Sequence, residues 1–533
     1  MSTFNTALPT PEADNIFRLQ NNQEYLFDVM MYNANDEFVR LRNQNINEFV
    51  LEDNFLDFYH KGYLVFRNDQ DALESLPTNP PNSNNAKSFS NFSYVDGNKV
   101  LPFSFRGDSR DFLIVDIIPK LNNQSFDYNY GEEIEKVWRL KFVFSIYNTE
   151  DIIIENQVGV KYKKIYFWDF TYQLLREKNS DFSTANFVDK EGALLKDNSE
   201  RGIKTGLAIK NLLKNVFSKD EGYKTEFEED FDEGYTSIFY SSPTDQKSIN
   251  DLEYLVERHV SSPGNNFDFC ILRRERFTNN WSFRSLKDYF SKAYNKAFTT
   301  NADSGGSFHL EKFMIGNYSD TEASYNNISR TPTSYKNIPS LPDYSYIEDF
   351  RFSPPAGFSV QDRLVSKMIH TYDYNEKEFI VDVQENNFEK NLDIYKKNYI
   401  EGLKGDIGAN PFSSLTKNYY RVANKNYDAD YAGNFESKEQ RLYKGRNDFL
   451  KNALFLNNTL NFTCPGLTFR QAGRFISVDR QTSIPESKFD NKLLGIYFVV
   501  NVRHVFRNSS YKNEITCVKP YIYNDPKNNE LIL

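Results

Sequence analysis

LLGIYFVVNVRHVFRNSSYKNEITCVKPYIY, residues 493–523, reads as two strands around a polar turn. Between Ile496 and Phe506 the chain alternates, so that Ile496, Phe498, Val500, Val502 and Phe506 share one face with His504 among them. A period of two is the signature of a β-strand. A histidine on such a face is a metal ligand, a catalytic base or a buried polar group. A metal site needs several converging ligands, and no other His or Cys lies close to His504 in sequence, so the buried polar role is expected.

The same patterning recurs at both ends of the chain. Glu48 to Leu51 and Gly62 to Phe66 form two strand-like runs, and Phe112 to Ile118 forms a third, expected to stop at Pro119 after a turn at Arg106 to Ser109. KVWRLKFVFSIYNTEDIII, residues 136–154, alternates Leu140, Phe142, Phe144 and Ile146 against mostly polar neighbours, as a half-buried antiparallel strand does. Strands at this spacing without helices between them predict a barrel or sandwich over residues 1–165. Further strands are expected at 377–383, Thr459 to Cys464, Arg474 to Val478 and Lys512 to Tyr521, giving a second β-rich region over 346–533. A helix with a weak point at Gly445 is expected at 436–456.

Between these regions the period changes. GIKTGLAIKNLLKNVF, residues 202–217, places Ile203, Leu207, Ile209, Leu212, Leu213 and Val216 at helical spacing. In SINDLEYLVERHV, residues 248–260, Ser248 reads as the N-cap of a second helix, with Asp251 closing a shortened capping box and His259 on its apolar side. NFDFCILRRERF (266–277) reads as a strand, and the stretch from Ser282 to Phe298 as a helix. Residues 166–300 are therefore expected to be an α+β module. The turn-rich stretch 301–345 is expected to be a linker or long loops. The predicted class is α+β and β-rich.

A chain of 533 residues exceeds a single core, and 47 Phe with 35 Tyr rule out disorder while favouring strands. Its formal charge, 64 − 74 = −10, argues against a protein that holds duplex DNA by neutralising phosphates. Cys270, Cys464 and Cys517 show no CxxC or CxxH spacing, so neither a disulfide framework nor a zinc site is expected. The first residues lack the basic and apolar regions of a secretory signal, and no apolar run is long enough for a membrane span.

Motifs for chemistry are sparse. TEFEEDFDEGYTS, residues 225–237, sets Glu228, Asp230 and Asp232 at alternate positions, but as a calcium loop counted from Glu228 it has Gly234 one residue late and Phe239 at the closing position. A solvated acidic loop is the expected reading, with cation binding by 226–233 left open. His60, His259, His309 and His370 are scattered singly, and no GxSxG, P-loop, GxGxxG after a strand or HExxH is present. No catalytic, cofactor-binding or metal residue is assigned.

The last part of the chain resembles the baseplate hub proteins of tailed bacteriophages, a family shared with contractile injection systems and type VI secretion spikes. The likeness rests on Pro465, Gly466, Gly473, Gly495, Tyr497, Val499, Val502, His504, Phe506, Tyr511 and Thr516, in that order, and on the helix order upstream. It implies two tube-like β-barrels with the α/β module between them and no catalytic residue. It also implies a homotrimer that joins a sixfold tail tube to a threefold spike and lines a channel for DNA ejection. Implied partners are the tail tube protein, a central spike or tail tip protein, baseplate wedge or peripheral tail proteins, and the tape measure protein. Neither sequence-specific nucleic acid nor stable membrane insertion is implied. The location would be the virion tail or baseplate, assembled in the host cytoplasm. Two other classes fit the composition: a virion-associated enzyme degrading cell wall or carbohydrate with Asp/Glu pairs, and a receptor-binding or peripheral baseplate protein.

Overall fold

The structure is a computed structural model whose described residues fall within 16–73, 92–120, 140–183, 203–293, 311–315, 346–384, 416–423 and 459–519, with short gaps inside these ranges. In chain order the first strands are β1 (Ile16–Arg18), β2 (Glu24–Tyr32), β3 (Phe38–Leu41), β4 (Ile46–Asn54), β5 (Lys61–Arg67), β6 (Phe92–Tyr94), β7 (Phe112–Lys120), β8 (Leu140–Ile153) and β9 (Lys161–Asp169). A module comes next with α1 (Phe170–Glu177), β10 (Ile203–Lys204), α2 (Thr205–Val216), β11 (Ser237–Ile238), α3 (Ser248–Arg258), β12 (Cys270–Arg274) and β13 (Trp281–Ser285). The remainder is β14 (Glu311–Ile315), β15 (Asp349–Ser353), β16 (Ser366–Asp373), β17 (Glu378–Gln384), β18 (Thr416–Ala423), β19 (Thr459–Pro465), β20 (Phe475–Arg480), β21 (Gly495–Arg507) and β22 (Ser510–Val518). The class is β-rich α+β, as the alternation predicts.

One sheet carries both ends of the chain. Its order is β15-β19-β22-β21-β4-β5-β9-β8-β7-β2-β3-β6, with β1 on β2, β20 on β21 and β14 parallel to β20. The crossing from one half to the other is the antiparallel ladder of β21 on β4, from Asn501↔Asn54 to Arg507↔Glu48. Among the described ladders the path stays open, and none closes either half into a ring. The N-terminal half nevertheless shares one core: Phe27, Phe49, Leu64, Val115, Phe144 and Phe167 pack together, and Phe506 and Tyr511 from the C-terminal strands join them. A second core of Phe313, Phe462, Tyr497, Val502 and Ile515 lies under the C-terminal half. The module packs Leu174, Leu212, Leu252 and Phe283 around Trp281. Phe55, Ile271, Leu286, Phe475 and Phe498 form a smaller core where all three regions meet.

Several local expectations change in the fold. The face written by Ile496, Phe498, Val500 and Val502 is broken by a β-bulge between Val499 and Asn501. A bulge adds one residue, and every side chain beyond it is turned to the opposite face. Ile496 and Phe498 accordingly pack with Phe55, whereas Tyr497, Val499 and Val502 share the C-terminal core. β7 also continues through Pro119, which is paired with Tyr25 of β2.

Ser248 is the first helical residue of α3 and not its cap. Its hydroxyl donates to the Lys178 carbonyl (3.1 Å), while Asp251 accepts from Tyr240 (2.5 Å) and Gln246 (2.5 Å). Ser282 to Ser285, expected to begin a helix, form β13 against β12 because every one of these residues is buried in the hairpin. Within the turn-rich stretch 301–345, β14 is a strand, and its Phe313 is fully buried. The turn at 106–109 and the helix expected over 436–456 lie outside the described residues.

Candidate functional site

Five of the residues that carry the hub resemblance, Pro465, Gly466, His504, Phe506 and Tyr511, meet in one buried joint beside the β21–β4 crossing. β19 ends at Pro465, and Gly466 lies against the ring of Tyr511, where a Cβ would stand 2.4 Å from Cγ. The Tyr511 ring stacks on Phe506 at 3.9 Å and 5°. Its hydroxyl lies 2.7 Å from His504 Nδ1, and Asn513 Nδ2 lies 3.1 Å from the same nitrogen.

The direction of these bonds is set by their neighbours. Asn513 Oδ1 accepts from the Leu467 amide (2.7 Å) and from Arg470 Nη1 (3.0 Å), so its NH₂ must face the imidazole. An amide NH₂ only donates. His504 Nδ1 is therefore the acceptor, its ring proton sits on Nε2, and the histidine is a buried polar connector.

Arg470 is the joint residue that no sequence motif marks. Its guanidinium is buried and donates to Glu311 Oε1 from Nε (2.9 Å) and Nη2 (2.7 Å), to Cys464 Sγ (3.0 Å) and to the Pro465 carbonyl. The only sign in the sequence is an arginine closing the mostly apolar turn CPGLTFR. Through Arg470 and Asn513, three segments distant in the chain, β14, the turn after β19 and the β21–β22 hairpin, share one hydrogen-bond network. Burial pushes the Cys464 thiol up to about 12 despite the neighbouring guanidinium, so this sulfur stays protonated and unreactive at neutral pH.

A second polar joint ties the module to both sheet halves. Asp53 of β4 accepts from the Ala472 amide (2.9 Å) and from Arg273 Nη2 of β12 (3.3 Å). His60 Nε2 stands 3.8 Å from the same carboxylate.

In the acidic run 225–237 the carboxylates divide between protein cations and the interior. Asp230 accepts from Arg284 Nε (2.9 Å) and pairs with Lys292, and Glu228 faces Arg284 Nη2 at 3.5 Å. The alternate carboxylates Glu228 and Asp230 already face protein cations. Asp232 turns inward and meets His259 and Cys270, the one group of three metal-capable side chains among the described residues.

In this trio Asp232 Oδ1 is 3.6 Å from His259 Nε2, Cys270 Sγ is 3.8 Å from Asp232 Oδ2, and Thr205 Oγ1 is 3.1 Å from His259 Nδ1. Burial lowers the His259 pKa against the opposing pull of Asp232. A thiol nucleophile needs the imidazole between thiol and carboxylate. Here the carboxylate is in the middle and Nδ1 is committed to Thr205, so the order is wrong for that chemistry. Of the remaining single histidines, His370 lies in β16 and His309 outside the described residues. Phe239 also lies outside them.

No family model and no curated protein matches the chain. Among solved structures it is similar to a tail protein from Neisseria meningitidis MC58, at 8% identity and a TM-score of 0.45, over 93% of this chain and 98% of that one. It is also similar to the 43 kDa tail protein of prophage MuSo2 from Shewanella oneidensis (10% identity, TM-score 0.43, 93% and 98% coverage). A third is the Francisella PdpA–VgrG complex (13% identity, TM-score 0.43), of whose chain 58% is spanned by 94% of this one.

Proposed function

We propose that this protein is a structural component of a phage tail or baseplate, acting as its central hub. The observation that carries the reading is the β21–β4 ladder, which joins strands from opposite ends of the chain into one wall; Asn501 Nδ2 donates to Glu52, 449 positions away (3.3 Å). Two β-rich halves fused edge to edge suit a scaffold, because each strand pairing hides an edge that would otherwise aggregate.

The residues of the hub resemblance support the same role. Gly466, His504, Phe506 and Tyr511 all lie in the joint that holds β19, β21 and β22 together, so the likeness falls on residues that set architecture. In this reading residues 1–165 and 346–533 supply two tube-like walls, 166–300 the module between them, and 301–345 the connection. Three copies would present six such walls to a sixfold tail tube and threefold symmetry to a spike. The net charge of −10 would keep a DNA channel from binding its cargo. Partners would be tube, spike or tip, wedge and tape measure proteins.

Native mass measurement of the purified chain, alone and with its tube and spike proteins, tests this. Trimers, or complexes containing three copies, are expected. A chain that stays monomeric with both partners and releases sugar from peptidoglycan would replace the hub with an enzyme.

A further inference from the structure

We infer that Asp232, His259 and Cys270 form a binding site for a zinc-class divalent transition metal inside the module. The three residues come from the loop before β11, the C-terminal cap of α3 and the start of β12, so the spacing 232/259/270 matches no zinc motif and only the fold assembles it.

Geometry is the first argument. All three ligand atoms lie within 4.8 Å of one another. With Zn–N and Zn–O near 2.0–2.1 Å and Zn–S near 2.3 Å, tetrahedral ligands stand about 3.4 Å apart for N and O and about 3.6 Å apart for O and S. The observed separations are 3.6 Å for His259 Nε2 to Asp232 Oδ1 and 3.8 Å for Cys270 Sγ to Asp232 Oδ2. The two separations run to different oxygens of Asp232, so imidazole and thiol flank its carboxylate at distances of the order of zinc-ligand separations.

The imidazole is the second argument. The His259 side chain is 1% exposed, and its Nε2 faces the Asp232 carboxylate at 3.6 Å, longer than an ordinary hydrogen bond. Nδ1 is held by Thr205 Oγ1 at 3.1 Å, the outer partner that a metal-bound histidine ordinarily has, which orients the ring and turns Nε2 toward the site. Asp232 is oriented in the same way by the Gly234 amide, 2.7 Å from Oδ1. Gly234 has φ +87° and no room for a Cβ beside Thr205 Oγ1 (2.8 Å) and His259 Cε1 (2.9 Å), so the backbone is shaped around these two side chains.

Charge is the third. A carboxylate and a thiolate with a neutral imidazole cancel a dication, so the loaded site would be neutral in a buried setting. Three protein ligands leave one position for water on the side of Cys270, which is partly exposed. The metal would clamp three segments of the module.

The test uses the full-length chain stripped with a chelator and titrated with Co(II), then Zn(II). Expected are one metal per chain, a thiolate-to-cobalt charge-transfer band with the visible bands of tetrahedral cobalt, and loss of both on adding Zn(II). Cys270→Ser, isosteric and partly exposed, should fold like the wild type by circular dichroism and lose the charge-transfer band. Cys517→Ser should keep it. Thr205→Val should weaken binding about 10- to 100-fold by releasing the histidine. Zn(II) should raise the Tm of the wild type and not of Cys270→Ser. A stripped wild type that binds neither metal, or a band that survives in Cys270→Ser, overturns the site.

Discussion

Replacing Gly466 by Ala probes the joint at its tightest point. The new Cβ would lie 2.4, 2.5 and 2.6 Å from three atoms of the Tyr511 ring, closer than any real Cβ contact. The ring has nowhere to move: one face stacks on Phe506 at 3.9 Å, its hydroxyl is held by His504 at 2.7 Å, and the Gly466 amide donates to the Tyr511 carbonyl at 2.9 Å. Overpacking of this kind costs about 1–3 kcal/mol, and the rigid surroundings place Gly466→Ala in the upper part of that range. Tyr511→Ala alone removes a buried aromatic ring and costs about 3–5 kcal/mol. In the double variant the methyl enters space the ring has left, so the combined loss should fall short of the sum by about the overpacking term. Urea unfolding followed by circular dichroism measures each value as the midpoint shift times the wild-type slope. A Gly466→Ala protein within about 0.5 kcal/mol of wild type, the scatter of neutral surface changes, or strict additivity in the double, would refute the argument.

The same region yields two further outcomes. Arg470→Met strands the Glu311 carboxylate, whose side chain is 13% exposed, and should cost about 3–5 kcal/mol, whereas Arg470→Met with Glu311→Met should recover most of it; equal losses in the single and the double, by the same unfolding assay, would contradict the pairing. Cys464 keeps its proton up to about 12 in the folded chain against an ordinary value of 9.0, and Cys517 is raised as well. Above pH 9 the unfolded chain therefore binds fewer protons than the folded one, so the stability these buried thiols contribute is whole below pH 9 and is lost as pH rises toward 12. The loss is about 1.4 kcal/mol per pH unit for each thiol. Unfolding midpoints measured between pH 8 and 10 should fall, and Cys464→Ala should flatten the decline; a level profile in the wild type would sink this account.

The alternation of apolar residues is enough to place most strands and the β-rich class. Leu140, Phe142, Phe144 and Ile146 mark β8, and the run from Ile496 to Phe506 marks β21, because a strand's side-chain period is a local property of the backbone. Helix α2 is legible for the same reason. The limits of local reading show at Val500, where the bulged backbone is held from both sides by segments flanking β4 and β20: the Val499 carbonyl accepts from the Gly473 amide (2.8 Å) and the Val500 carbonyl from the Phe55 amide (2.7 Å). β13 reads locally as helix and is a strand, because its pairing with β12, and not its own propensity, sets its state.

Residue order alone thus settles the type of most strongly periodic elements, the β-rich class and the buried character of His504. Which distant residues meet is settled only in the packed chain: Asp53 with Arg273 and Ala472, Arg470 with Glu311, and Asp232 with His259 and Cys270. The difference arises because periodicity is written by neighbours a few residues apart. A ladder such as β21 on β4, or a ligand trio spread over 39 positions from 232 to 270, is selected by the burial of whole faces and leaves no local spacing to read.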